Sequence, residues 1–186
     1  LHLTGGEPTL HPRLPELVRL ATNEGYRVCM TSNGENGARQ IPACADAGLD
    51  RVNFSIFGTT PNELAQVQHT RFRDPAKAAA KIKALHDSIQ ACVDHGVRAS
   101  ANIVVLDHSH IERVHRLLGT YAPELSVRLL NSLDHGQTSI DAINEVLAQR
   151  GAVAESHHLT AGASGSRTTH RIDGGRRRIH VKWIRP

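Results

Sequence analysis

Aromatic side chains are scarce in this chain, 3% of 186 residues, with a single tryptophan and two tyrosines. So few rings leave little surface for stacking single-stranded bases, which argues against a nucleic-acid partner. Cysteine is scarce as well. Cys29, Cys44 and Cys92 are odd in number and widely separated, which argues against a disulfide framework, gives no metal-ligand spacing and fits a reducing cytoplasm. No apolar run approaches the roughly 18 residues a membrane helix requires, so no membrane association is expected. A secretory signal pattern is absent, and the first residue is Leu1, not methionine, so the chain is expected to begin inside a longer protein.

What is present describes a globular domain. With 39% hydrophobic and 22% charged residues, 186 residues suffice for one substantial core and one domain or slightly more. The formal net charge of +4 is mild. Much of it lies in Arg171, Arg176, Arg177, Arg178, Lys182 and Arg185, so it characterises a terminal segment and not the whole surface. The thirteen histidines are the one surplus, and most are expected at the surface.

Apolar periodicity divides the chain into alternating strands and helices. Residues 1–5 and 27–32 read as strands, with Leu14, Leu17, Val18 and Ala21 at helical spacing between them and Gly25 as the stop. A helix over 38–47 precedes a strand over 49–57, in which Val52, Phe54 and Ile56 alternate with Asn53 and Ser55. Thr60, Pro61 and Glu63 predict a capped helix start. Asp74-Pro75 opens the longest helix, whose buried stripe is expected at Ile82, Leu85, Ile89 and Val93. Strand 97–106, a helix bearing Ile111, Val114, Leu117 and Leu118, strand 126–133 and a helix bearing Ile140, Ile143, Val146 and Leu147 follow.

Such alternation with short loops predicts an α/β fold, a parallel sheet covered by helices that forms a partial (β/α)6-type barrel over residues 1–151. Residues 152–170 lose apolar periodicity and read as a flexible loop or linker. Residues 171–186 alternate again around Asp173-Gly174-Gly175 and read as a β-hairpin-like extension.

Ligands of parallel α/β folds bind at the carboxyl ends of the strands. Here those ends are polar: Gly5-Gly6-Glu7, Ser32-Asn33-Gly34, Ser55 to Gly58, the strand holding Asn102, and Asn131 to Asp134. The first is the most telling. Two adjacent glycines let a ligand approach bare backbone, Glu7 can accept a hydrogen bond from an ammonium group, and Pro8 stops strand pairing. The alternative is a plain turn between strand and helix, and these four residues alone do not choose between the two.

Smaller signals are weaker. Asp107-His108-Ser109-His110 and His157-His158 read as solvated before they read as metal sites. Arg71 and Arg73 are either surface ion-pair partners or contacts to an anionic substrate. Arg176 to Arg178 form a solvated hairpin tip, a clamp for a phosphate-bearing substrate or a nucleic-acid contact, with the first preferred.

Taken in order, Gly5-Gly6-Glu7-Pro8, then Thr31-Ser32-Asn33-Gly34, then Ala47 to Ile56, resemble the radical SAM superfamily, and the likeness runs to about residue 133. Within it the chain is most similar to the branch holding the GTP-cyclising enzyme of molybdenum cofactor biosynthesis and peptide- and natural-product-modifying enzymes. The resemblance implies an enzyme that cleaves S-adenosylmethionine reductively with a [4Fe-4S] cluster and abstracts hydrogen from a small-molecule or peptide substrate. It also implies an electron donor such as a ferredoxin or flavodoxin. As cofactor-binding residues it implies Gly5, Gly6 and Glu7 at the methionine amino group, with Pro8 closing that motif, Ser32, Asn33 and Ser55 at ribose and carboxylate, and Ile103 against adenine. It assigns no catalytic acid or base.

The family's Cys-x3-Cys-x2-Cys cluster loop precedes the Gly-Gly-Glu-Pro motif, and nothing precedes Leu1 here. Cluster iron requires thiolates in a closely spaced set, so the resemblance implies an N-terminally truncated fragment, inactive alone and without metal ligands of its own. Two other classes stay open: a cluster-free barrel that binds a nucleoside or phosphate, and a basic nucleic-acid-binding module, which a steep salt dependence would reveal.

Overall fold

The structure, a computed structural model, describes residues 1–67, 73–121, 123, 125–159 and 165–185. The chain divides into two units, Leu1–Ser100 and Ala101–Pro186. This boundary falls well inside the 1–151 segment expected to form one barrel.

In the first unit, short apolar runs supply parallel neighbours, β1 (His2–Leu3), β2 (Val28–Ser32) and β3 (Leu49–Ser55), in that order. They alternate with α1 (Leu14–Asn23), α2 (Gly37–Asp46), α3 (Pro61–Val67) and α4 (Pro75–Asp94). Val28, Met30, Val52 and Phe54 lose all solvent exposure, as do Val18, Ile41 and Cys92 from the helices. Fully burying a side chain of the larger of these kinds stabilises the fold by about 1.5–3 kcal/mol. The expected alternation in β3 is observed: Val52 and Phe54 face this core, while Asn53, on the other face, is buried and accepts a hydrogen bond from the Ser100 hydroxyl at 2.6 Å.

The buried stripe of α4 departs from expectation. Ala78, Lys81, Leu85, Ser88 and Cys92 are its buried positions, whereas Val93 is 65% exposed. Lys81 and Ser88 tolerate burial because each meets a polar partner, Glu35 in one case and the Gly34 carbonyl in the other. Apolar periodicity cannot anticipate such pairing.

β4 (Arg98–Val105) leads into the second unit. There the strand order is β4, β5 (Ser126–Asn131), β8 (Arg177–Ile184), β7 (Gly165–Ile172), β6 (Val153–Leu159). β5 and β8 are parallel, while β8, β7 and β6 pair antiparallel, and the series does not close on itself. α5 (Ile111–Thr120) and α6 (Gly136–Gln149) contribute Val114, Leu117, Ile143 and Val146 to a core with Val127, Leu129, Ile179 and Val181, all without exposure. The α/β class with mostly parallel strands is therefore as expected.

The expected linker over 152–170 is instead largely strand. β6 and β7 occupy most of it, residues 160–164 lying outside the described set, and the hairpin around Asp173 starts at Gly165, not at 171. β6 escaped detection because it is an edge strand exposed at every residue but Ser156, so neither face demands apolar alternation. It is held by its ladder to β7 and by Glu155, which accepts from Arg171 and, at 2.7 Å, from Arg178 Nε.

Candidate functional site

After β1 the chain turns before Pro8 opens a short 3-10 turn, Pro8–Leu10. Gly5 and Gly6 make that bend at φ +90° and +29°, and a Cβ added to either would meet open space. At Gly5 it is the backbone angle, and not crowding, that excludes a side chain. The result is an uncovered stretch of main chain at a strand end.

Glu7 caps this 3-10 turn. Its Oε1 accepts from Thr9 N at 3.1 Å, Thr9 Oγ1 at 2.7 Å and Ser32 Oγ at 2.8 Å, and its Oε2 accepts from Asn33 N at 2.6 Å. The carboxylate thus ties the ends of β1 and β2 together. Among the described residues Oε2 takes a single donor, which leaves it a lone pair for another. Pro8 sits at the start of the turn, where its missing N–H costs nothing.

The loop after β2 is equally interlocked. Ser32 is 1% exposed, and its hydroxyl, while donating to Glu7, accepts from Gly34 N at 3.0 Å. Asn33 Oδ1 accepts from Glu35 N at 2.8 Å, and Glu35 Oε1 accepts from Lys81 Nζ at 2.7 Å. Ser55 closes β3, half-buried.

The structure therefore brings Glu7, Ser32 and Asn33 into one network beside Gly5, Gly6 and Pro8. Ile103 belongs to the second unit, on β4, where it shares a fully buried face with Ala101 and Val105. The apolar neighbour on the other face of β4, shared with Asn102, is Val104, 38% exposed.

Other sequence signals resolve into structural roles. Asp107 caps a 3-10 turn through Ser109 N at 2.8 Å, and that bonding to Ser109 holds its carboxyl below the usual range. Burial, followed by the Arg113 charge, lowers the pKa of His110, whose Nδ1 lies 2.5 Å from Arg113 Nη2, while His108 faces Glu145 at 3.4 Å. Among the described residues no group of three His, Cys, Asp or Glu side chains is placed to hold a metal. Burial pushes the Cys44 thiol up to about 11 and the Cys92 thiol to about 12.

Arg73 is exposed, and Arg71 lies outside the described residues. In the basic segment, Arg177 is buried and donates to the carbonyls of Leu118 and Tyr121, Arg178 and Arg171 bind Glu155, and Arg176 donates to the Asp173 carbonyl at 3.0 Å. A cavity of about 470 Å³ beside it is bordered by Arg150, Arg176 and Arg177, but also by Asp173, which Arg150 reaches at 3.0 Å.

Sequence reasoning missed Thr9, Glu35, Lys81 and Ser88. Thr9, two residues beyond Glu7, carries the pattern of a capping turn and was legible. The other three act across the unit, between a loop and α4, and no local pattern announces them.

Comparison with known proteins follows the same lines. A family model described as the radical SAM superfamily matches residues 1–120. A GTP 3',8-cyclase from Pseudomonas aeruginosa is 32% identical over 174 residues, 87% of this chain and 50% of that protein. Another from Chlorobaculum tepidum is 40% identical over 87 residues, 45% of this chain and 26% of that protein. The chain thus spans about half the length of the curated relatives that match most of it. Among solved structures, Streptococcus suis SuiB bound to S-adenosylmethionine superposes with a TM-score of 0.53 over 81% of this chain and 35% of that one at 13% identity, a likeness of fold. With the family match covering well over half its residues, the chain belongs to the radical SAM superfamily.

Proposed function

We propose that the chain forms the S-adenosylmethionine-binding part of a radical SAM enzyme of cofactor or peptide biosynthesis. The observation that carries this reading is the wiring of Glu7 to Ser32 and Asn33 beside the uncovered Gly5 and Gly6 backbone. A zwitterionic nucleoside needs acceptors for its ammonium group and donors for its carboxylate and ribose. The backbone oxygens of Gly5 and Gly6 and the open site on Glu7 Oε2 serve the first need, and Asn33 and Ser55 the second. Ser32 holds Glu7 in place, since its hydroxyl already donates and accepts within the chain. In the complete protein, S-adenosylmethionine bound here together with a [4Fe-4S] cluster would supply one-electron chemistry.

The cluster does not fit the cysteines present. Cluster iron takes thiolates, whereas Cys44 and Cys92 are buried with raised pKa values and Cys29 stands alone on β2. None of these thiols is a cluster ligand. The proposed substrate is a small molecule or a peptide, with a purine nucleotide the first to try because the relatives named above carry the name GTP 3',8-cyclase. A ferredoxin or flavodoxin is the proposed reductant and the cytoplasm the proposed compartment. Among the described residues, no helix is long and apolar enough to cross a membrane.

A nucleic-acid role draws no support from Arg171, Arg176, Arg177 and Arg178, whose guanidinium groups are engaged within the chain. The test is anaerobic reconstitution of the complete gene product with iron and sulfide, followed by reductant and S-adenosylmethionine. Release of 5'-deoxyadenosine is the expected outcome. A cluster-loaded protein that leaves S-adenosylmethionine intact contradicts the proposal.

A further inference from the structure

We infer that Lys81, on α4, is a positioning residue for the Glu7 cradle, acting through Glu35 on the loop that carries Asn33. Its side chain is 6% exposed, and its Nζ lies 2.7 Å from Glu35 Oε1. Removing an ammonium group from water is costly even when it is paired, and an apolar residue of similar volume would serve the core at least as well. Stability alone therefore gives no reason for a lysine inside the buried stripe of α4.

The route to the cradle is short. Glu35 Oε1, held by Lys81, also lies 3.5 Å from Asn33 Nδ2, while Glu35 N donates to Asn33 Oδ1 at 2.8 Å. Asn33 N in turn donates to Glu7 Oε2 at 2.6 Å. A second contact from the same helix fixes the middle of the loop. Ser88 Oγ lies 2.7 Å from the Gly34 carbonyl oxygen and 2.8 Å from that of Ala84, to one of which it donates, and it accepts from Ala38 N at 2.9 Å. Gly34 has φ +81°, and a Cβ there would come within 3.0 Å of Leu85 Cα. The loop is thus pressed on α4 at Gly34, and the Lys81–Glu35 pair sets the side chain beyond it.

The functional arm of this inference rests on the S-adenosylmethionine reading, whereas its structural arm does not. Amide hydrogen exchange, a thermal midpoint and calorimetry with S-adenosylmethionine are measured on the full chain and on Lys81→Met and Lys81→Arg. Lys81→Met is expected to speed exchange at Asn33 and Glu35 about 10-fold and to weaken the ligand about 10-fold, as loss of an outer support typically does. Exchange at Met30 and Val52 stays unchanged, and Lys81→Arg restores both readouts.

Ser88→Ala, which leaves the ion pair intact, is expected to speed exchange at Ala38 by roughly 3- to 10-fold, the value of one hydrogen bond. Should the Lys81→Met chain not fold, Glu35→Gln, which removes the carboxylate that Lys81 meets, tests the same link and is expected to speed exchange at Asn33 about 10-fold. Unchanged exchange in the loop, or a rise spread evenly over β2 and β3, overturns the inference. If the unaltered chain binds no S-adenosylmethionine yet Lys81→Met still loosens Asn33 and Glu35 and not Met30 or Val52, the functional reading fails and the positioning role stands.

Discussion

The two units use their polar side chains in opposite ways. In Leu1–Ser100 a few short side chains, Glu7, Ser32 and Asn33, bond to one another and leave glycine backbone uncovered beside them. In Ala101–Pro186 the conspicuous charges close gaps in the fold: Arg177 satisfies carbonyls where α5 ends, and Glu155 pins the hairpin by way of Arg171 and Arg178. A dense run of charge is thus structural here, and a quiet Gly-Gly-Glu-Pro is the candidate site. Backbone groups at a chain end need donors and acceptors wherever they are buried. A ligand cradle, by contrast, needs only a few, fixed in advance.

Substitutions that separate ligand affinity from stability sharpen this contrast. Glu7→Ala leaves the donors of Thr9, Ser32 and Asn33 without their acceptor, and it is expected to weaken S-adenosylmethionine about 100-fold and to destabilise the chain by roughly 2–3 kcal/mol. Calorimetry and urea unfolding check both. Arg177→Ala is expected to lower stability by about 2 kcal/mol, because the Leu118 and Tyr121 carbonyls lose their donor, and to leave ligand affinity unchanged. A loss of affinity there breaks the contrast.

Gly5→Ala places a side chain at φ +90°. It is expected to cost about 1–2 kcal/mol in unfolding free energy and to weaken the ligand as the bend shifts. The smallest effect is expected at Glu155, whose carboxyl is lowered from 4.5 to about 2 by hydrogen bonds from Arg178 and then Arg171. Because its folded pKa is depressed, its contribution is present above the unfolded value and fades as pH falls from about 4.5 towards 2. An NMR titration should show this carboxyl moving back towards its ordinary value in Arg178→Ala, with ligand affinity at neutral pH unaffected.

Strands and helices with one apolar face were legible in the sequence, as Val52, Phe54 and Ile56 show. Boundaries marked by local chemistry were legible too: Pro75 opens α4 with Asp74 as its cap, its carboxylate accepting from Ala76 N at 3.0 Å. Two things were not. β6 has no buried face to impose a pattern, and the inward turn of Lys81 and Ser88 depends on partners 46 and 54 residues away in sequence. At the candidate site the glycines and Glu7 were legible because unusual backbone and a lone acid leave a mark in four residues. Ser32 was marked by position alone, and its internal role required the geometry of Glu7 and Gly34.

The most direct test of the central claim is an amide chemical-shift map of the chain titrated with S-adenosylmethionine. Saturable shifts concentrated at Gly5, Gly6, Asn33 and Ser55, with Arg171, Arg177 and Arg178 unmoved, are the predicted result. Shifts centred on the hairpin around Asp173, or none at the end of β1, would contradict it.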